Sequence, residues 1–429
     1  MNPLVGQVTL VLILVILFLP RRWAALGVVS GVLYVTQSEF FVVGGIDFTA
    51  IRFIILVGFI RVVMRKEVSF SRLNKIDKSL LIFNIVYLLV FALRSQLNPS
   101  IHSGLMYQLG FFCDGLLSYF TFRGLLKDLD TFRQFLKDIA FLILPFTIFI
   151  IIEGVTGRNF FSLMGGVPET PILRKGYYRC QGSFRHAITA GTFGATLVPL
   201  FIGLARLANK RFWAVIGIIL GALITIASHS SGPLMTFIGG VTAWMCWPLR
   251  ERMRIVRWAI VGFFVSLAVV MKAPVWFIID RVGDLVGAGD GWHRANLIDK
   301  FINSFWEWWL MGMPIEKTAD WAATKMPWGT VDVTNGYVSV GINGGLISLV
   351  LFIWLFKNCY QLLGRAMEKI RRGDTQNDKR NEVLLWGLGS ALFSHMMSLI
   401  SVTYWDQSYV MWYMLLAVIS SLTEHSNWN

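Results

Sequence analysis

The stretch YRCQGSFRHAITAGTFGATLVPLFIGLARL, Tyr178 to Leu207, decides how the chain is read. Its second part, Ala187 to Leu207, is apolar over a length that can cross a hydrocarbon core, which takes roughly 17–25 helical residues. Its first part sets Arg179, Arg185 and His186 at the mouth of that run, after Arg174 and Lys175. Charge is costly there unless it is used. The segment therefore reads as one half of a working site, with Trp292-His293-Arg294 as the other half.

The same kind of run recurs along the whole chain. Apolar residues make up 55%, charged residues 15%, and mean hydropathy is +0.61, whereas soluble domains carry about 25% charged residues. The candidate spans are 4–19, 23–40, 51–64, 79–93, 106–122, 139–152, 187–207, 212–227, 233–247, 259–271, 336–356, 383–400 and 410–422. The expected fold is all-α: a polytopic membrane bundle of thirteen helices, or twelve because the first two runs are short. No basic residue precedes Leu4, and Arg21-Arg22 follow Leu19. That is the reverse of a cleaved signal, so the first run reads as a span with its N-terminus outside. The four cysteines are scattered, with no zinc spacing and no disulfide expected.

The net charge of +14 comes from short basic connectors, the positive-inside pattern rather than a nucleic-acid footprint. Arg21-Arg22, Arg61 to Lys78, Arg123 to Lys137, Lys210-Arg211, Arg250 to Arg257 and Lys357 to Arg380 alternate with the spans, placing all of them in the cytosol. Four parts follow: N-terminal spans (1–156), a first outer loop with core spans (157–271), a large outer loop (272–335) and C-terminal spans (336–429). The segment 157–186 carries five basic residues against Glu169 alone, an excess on the disfavoured face that points to an anionic partner. In 272–335, Trp292 to Trp308 has helical spacing and is expected to lie along the membrane surface, closing over the bundle. Ala187, Gly191 and Ala195, like Gly217 and Gly221, recur at four-residue steps and suit close helix packing.

Paired arginines bind a diphosphate well, because guanidinium is a planar fork that keeps its charge. Arg179, Arg294 and Arg185 are the candidate ligands, Arg185 being equally suited to snorkelling toward lipid. His293 and His186 can take a proton near neutrality, with Asp332 third. Asn335 could face a sugar hydroxyl, or simply serve Asn-Gly turn chemistry. Trp292 is the candidate stacking residue, while Trp306, Trp308, Trp309, Trp321 and Trp328 read as an interfacial belt. Asp114 and Glu153 are acids within spans, and Asp114 has Arg123 or Arg52 as a partner. Asp128-Leu129-Asp130 sits among basic residues in a connector and reads as a charged loop, not a metal site. No phosphate-binding glycine loop, His-Glu-x-x-His or nucleophile elbow is present, so a substrate should arrive already activated.

With these residues in hand, RCQGSFRHAITAGTFGATLVPL, the turn Ser228 to Gly232, and TNGYVSVGINGGLISLVLFIWL resemble the O-antigen ligase and polymerase family of bacterial membrane glycosyltransferases. The likeness covers about 175 to 360. It implies a multi-pass protein of the bacterial inner membrane with its active site facing the periplasm. The implied reaction is an inverting glycan transfer from an undecaprenyl-diphosphate carrier to an acceptor, without metal or cofactor. Arg179 matches the first essential arginine and Arg294 best matches the second. Thr334 stands where the ligases have their proposed basic histidine, and Ala187 replaces a proline. The first departure favours the polymerase branch, which joins carrier-linked repeat units of O-antigen or exopolysaccharide. The partners so implied are the carrier-linked donor and acceptor and membrane lipids, with a chain-length regulator left open and no nucleic acid. The rivals are a ligase to lipid A core or protein and, lower, a transporter of the lipid-linked glycan, which would call for helices interrupted at midplane.

Overall fold

The computed structural model describes residues 2–37, 40–43, 46–97, 102–207, 211–285, 291–321, 331–372 and 376–424. Gly287, Gly289, Trp328, Lys210, Gly373 and Asp374 lie outside them. The protein is all-α and 80% helical. The helices are α1 (Pro3–Phe18), α2 (Arg21–Tyr34), α3 (Ala50–Met64), α4 (Lys75–Leu97), α5 (His102–Leu125), α6 (Leu129–Thr156), α7 (Ala187–Ala205) and α8 (Arg211–Ala227). There follow α9 (Ser231–Met245), α10 (Met253–Val270), α11 (Ile278–Leu285), α12 (Gly291–Asn303), α13 (Phe305–Trp308), α14 (Gly336–Arg372), α15 (Gln376–Ser398) and α16 (Asp406–Glu424). Each apolar run read from the sequence falls on one of them, and α12–α13 occupy the stretch with helical spacing. Among the described residues, five helical segments are both long and apolar enough to cross a membrane: 75–94, 129–156, 187–205, 247–270 and 336–372. The second run ends early, at Tyr34, because Phe40–Val43 and Ile46–Thr49 form an antiparallel hairpin. A second, smaller hairpin pairs Leu173–Arg174 with Tyr177–Tyr178.

Local chemistry sets several helix ends. Asn74 Oδ1 accepts from the backbone N–H of Ile76 (2.9 Å) and Asp77 (3.1 Å), opening α4. Asp128 accepts from Thr131 N at 2.8 Å, opening α6, the usual work of a side-chain N-cap. Its neighbour Asp130 pairs with Arg133 at 2.6 Å, so both carboxylates of the Asp-x-Asp are engaged, and no cluster of metal-binding side chains occurs among the described residues. Gly157, in the left-handed region (φ 67), closes α6.

At the centre stand α7, packed against α8, α9 and α15, and α16, packed against α5 and α14; both are buried along nearly their whole length. The small residues of α7 and α8 act as read. A Cβ on Gly194 would lie 2.6 Å from the Gly221 carbonyl oxygen, and one on Gly217 would meet the Phe201 ring. In contrast, α10 has no buried residue.

The helix ends form two faces. On one, the basic connectors carry ion pairs: Arg21 and Arg61 with Glu67 (both 3.3 Å), Arg22 with Asp138 (2.9 Å), and Arg250 and Arg371 with Glu382. Arg123 binds Asp77 (2.6 Å) and Glu424 (2.5 Å). Asp114 therefore takes Arg52 as its partner, at 2.9 Å, and not Arg123. The other face, which we call the loop face, gathers 157–186, 228–230, 271–285, 291–321, 331–335 and 399–405.

Candidate functional site at the loop face

The loop 179–185 is held from several sides. Glu153, buried in the last turn of α6, accepts from the backbone N–H of Gln181 (3.0 Å) and Gly182 (2.8 Å). Consecutive N–H groups converging on one carboxylate form an anion nest, and Gly182 supplies its left-handed residue at φ 59. Cys180 N donates to Ala227 O at the end of α8 (3.0 Å), and Ser183 Oγ donates to Leu33 O at the end of α2 (2.6 Å). Gln407 Nε2, from α16, donates to Ser183 O (3.1 Å). Four helices, α2, α6, α8 and α16, thus fix the backbone that carries Arg179 and Arg185. Burial raises the Cys180 thiol to about 12, with the nearby Glu153 carboxylate adding to the effect. It is a neutral packing group.

Arg179 and Arg294 are both buried, at 8% and 6% exposure, and both lie near the turn 228–231. Arg294, in the first turn of α12, donates through Nη1 to Ser231 Oγ at 2.9 Å. Tyr177 stacks on His229 with centroids 4.9 Å apart and planes 14° apart. Burial, and then the Arg179 charge, lower the pKa of His229 and bring that of His186 down to about 4. Both rings are thus neutral near pH 7, next to a fixed cation. Arg185 is half exposed; it pairs with Asp406 at 3.2 Å and donates to Gln37 O at 3.3 Å.

The candidate bases differ in what their nitrogens do. His186 is the N-cap of α7, and its Nδ1 accepts from Ile188 N at 3.2 Å. With that lone pair engaged, the neutral ring carries its proton on Nε2 and presents a donor. His293 lies with Nε2 3.3 Å from the Asp332 carbonyl oxygen; donation there leaves Nδ1 as the proton acceptor. Burial raises the Asp332 carboxyl above its ordinary range and His293 holds it back. Asn335 is a buried N-cap: Oδ1 accepts from Tyr337 N (2.9 Å) and Val338 N (3.1 Å), while Nδ2 donates to Ile400 O (3.1 Å). This is the turn-and-cap reading of Asn-Gly, and it leaves little of the amide for a sugar. Trp292 is 48% exposed at the surface of α12. Thr334 Oγ1 makes no hydrogen bond among the described residues.

Sequence reasoning did not find Ser231 as the partner of Arg294, nor Gln407 and Asp406 as supports of the Arg179 loop. A serine beside a glycine-proline turn carries no signal of its own, and its arginine is 63 residues away. Glu153 did carry a signal, as an acid inside an apolar helix. No protein-family model matches the chain, and no curated protein is significantly similar to it.

Proposed function

We propose that the chain is a polysaccharide repeat-unit polymerase of a bacterial inner membrane, with twelve or thirteen spans and its loop face toward the periplasm. It would transfer a glycan from an undecaprenyl-diphosphate carrier to a carrier-linked acceptor with inversion. The observation that carries this reading is the pair of buried arginines, Arg179 and Arg294, both near the 228–231 turn on the face opposite the basic connectors. In this reading they hold the diphosphate and stabilise it as it leaves, where fixed cations are most effective. Arg185 contributes field at the rim, and His186 and His229 offer neutral N–H donors. His293 Nδ1 takes the acceptor proton, because the His186 lone pair is committed to its helix.

Losing one charged contact to the leaving group costs about 2–5 kcal/mol, a fall of hundreds-fold in rate. The test is Arg179→Lys and Arg294→Ala in a host making the polymer, beside transfer by purified protein from a synthetic polyprenyl-diphosphate donor. Single repeat units in place of long chains are expected; normal chain lengths from well-expressed variants would sink the assignment. If loss of the protein instead leaves long polymer on its carrier, the ligase alternative stands. The transport reading calls for an interrupted helix, and α14 is broken at Gly345. There, however, the freed backbone groups are taken up by a neighbouring segment of the protein, so the break gives a substrate nothing to bind.

A further inference from the structure

The break in α14 has a partner. Gly345 sits at φ 70 and ψ −177, nine residues into the helix. A break of this kind frees carbonyl and N–H groups that hydrocarbon cannot satisfy. The segment after α13 satisfies them: Leu346 N donates to Trp309 O (2.8 Å) and Met313 N to Ile342 O (2.7 Å). Arg94, near the end of α4, donates from Nη1 to Met313 O (2.9 Å) and to Ile342 O (2.7 Å). The approach excludes side chains, since a Cβ on Gly312 would lie 2.0 Å from Ile342 O and one on Gly345 2.6 Å from Leu310 O.

Depth follows from the helix itself. Gly336 N, at the start of α14, donates to Leu399 O just past the end of α15, which marks the level of the helix ends. At 1.5 Å per residue, Gly345 lies about 13 Å beneath that level. The exposed side chains of the descending segment are mostly apolar, Trp306 at 79% and Leu310 at 62%, with Glu307 the exposed charge between them. On α14 the exposed apolar side chains begin just past the seam, at Ile347, and continue through Val350 and Ile353. That charge is paired, Glu307 meeting Lys317 at 3.6 Å.

We propose that residues 305–313 form a re-entrant element that dips into the bilayer beside α14, with Trp306 and Leu310 against lipid acyl chains. The first part of the large loop, α12, still covers the loop face; its last part does not lie along the surface as its sequence suggests. The inference rests on α14 crossing a membrane and is independent of the glycan chemistry.

The test places nitroxide labels at Leu310→Cys, Trp306→Cys, Val350→Cys and Lys317→Cys, one at a time, in the full chain reconstituted in phosphatidylcholine vesicles. Labelled wild type supplies the background from the native cysteines. Electron paramagnetic resonance saturation is then read with oxygen, which partitions into lipid, and with a water-soluble nickel chelate. The labels at 310, 306 and 350 should respond several-fold more to oxygen than to nickel, and the label at 317 the reverse. Nickel access at 310 and 306 equal to that at 317, with 350 still lipid-exposed, overturns the re-entrant element. Nickel access at 350 overturns the membrane assignment of α14 and the element with it. If only one of 310 and 306 folds well enough to be read, that one decides.

Discussion

Replacing Asp77 with alanine should destabilise the bundle more than any other loss of a single charge. Asp77 is fully buried at the start of α4. Its carboxylate accepts from Arg123 Nε (2.7 Å) and Nη2 (2.6 Å), Ser420 Oγ (2.9 Å), Tyr119 OH (2.5 Å) and Asn74 N (2.8 Å). One side chain therefore ties the beginning of α4 to the ends of α5 and α16. Removing it strands a buried guanidinium, which keeps only Glu424 as a carboxylate partner, together with three lesser donors. Removing one partner of a buried pair costs about 3–5 kcal/mol. At roughly 2 °C per kcal/mol for a chain of this size or somewhat smaller, that is about 5–10 °C in Tm. The control is Asp130→Ala, whose ion pair with Arg133 leaves the Asp130 side chain 81% exposed; such a pair is worth about 0.5 kcal/mol. Thermal unfolding of both variants in one detergent measures the difference. Asp77→Ala melting within about 1 °C of Asp130→Ala would refute the claim that burial, and not the mere presence of a pair, sets the cost. Arg123→Ala added to Asp77→Ala should lose less than the sum of the single changes, because the stranded charge is gone.

Glu153→Gln should speed amide hydrogen exchange at Gln181 and Gly182 by about ten-fold or more, since it sets an NH2 donor against a backbone donor at a cost of about 1–3 kcal/mol; unchanged exchange there would remove Glu153 as the loop's anchor. For His186, the folded value of about 4 lies below the ordinary 6.5, so the unfolded chain takes up the proton first. Its stabilising contribution is complete above pH 6.5 and is lost as pH falls toward 4, by at most about 3 kcal/mol. Melting curves from pH 7.5 to 4.5 should therefore fall further for wild type than for His186→Asn, which keeps a capping oxygen; parallel curves would contradict this. Ser231→Ala removes one hydrogen bond to a charged group, about 1.5–3 kcal/mol, and should weaken any activity that depends on Arg294 by about ten-fold or more without lowering Tm comparably. An equal fall in Tm and in activity would make Ser231 a structural residue only.

The positions of the helices were legible because hydropathy is a local property. Runs such as 187–207 and 336–356 declare themselves within a window of about twenty residues. The basic character of the connectors is local too, and Arg22, Arg123, Arg250 and Arg371 each pair with an acid of another helix. What distant pairing decides was not legible. Arg294 finds Ser231, Glu153 finds two backbone amides on the next loop, and Arg94 finds a carbonyl 248 residues away. Gly345 was visible as a glycine, yet glycine in an apolar run signals tight packing as readily as a break. Asn335 could serve as ligand or cap, and only the fold, by supplying Tyr337 N, Val338 N and Ile400 O, made it a cap.

The contrast between α10 and α7 bears on how each helix may vary. Where nothing is buried, as in α10, a substitution meets only a demand for greasiness, and Leu, Ile, Val and Phe are interchangeable. In α7, Gly194 faces a backbone oxygen 2.6 Å from any added carbon, so bulk itself is forbidden. A saturation library should thus accept shuffled apolar residues throughout 259–270 while rejecting even alanine at Gly194. Two helices of similar hydropathy would then have opposite tolerance, one constrained by composition and the other by shape.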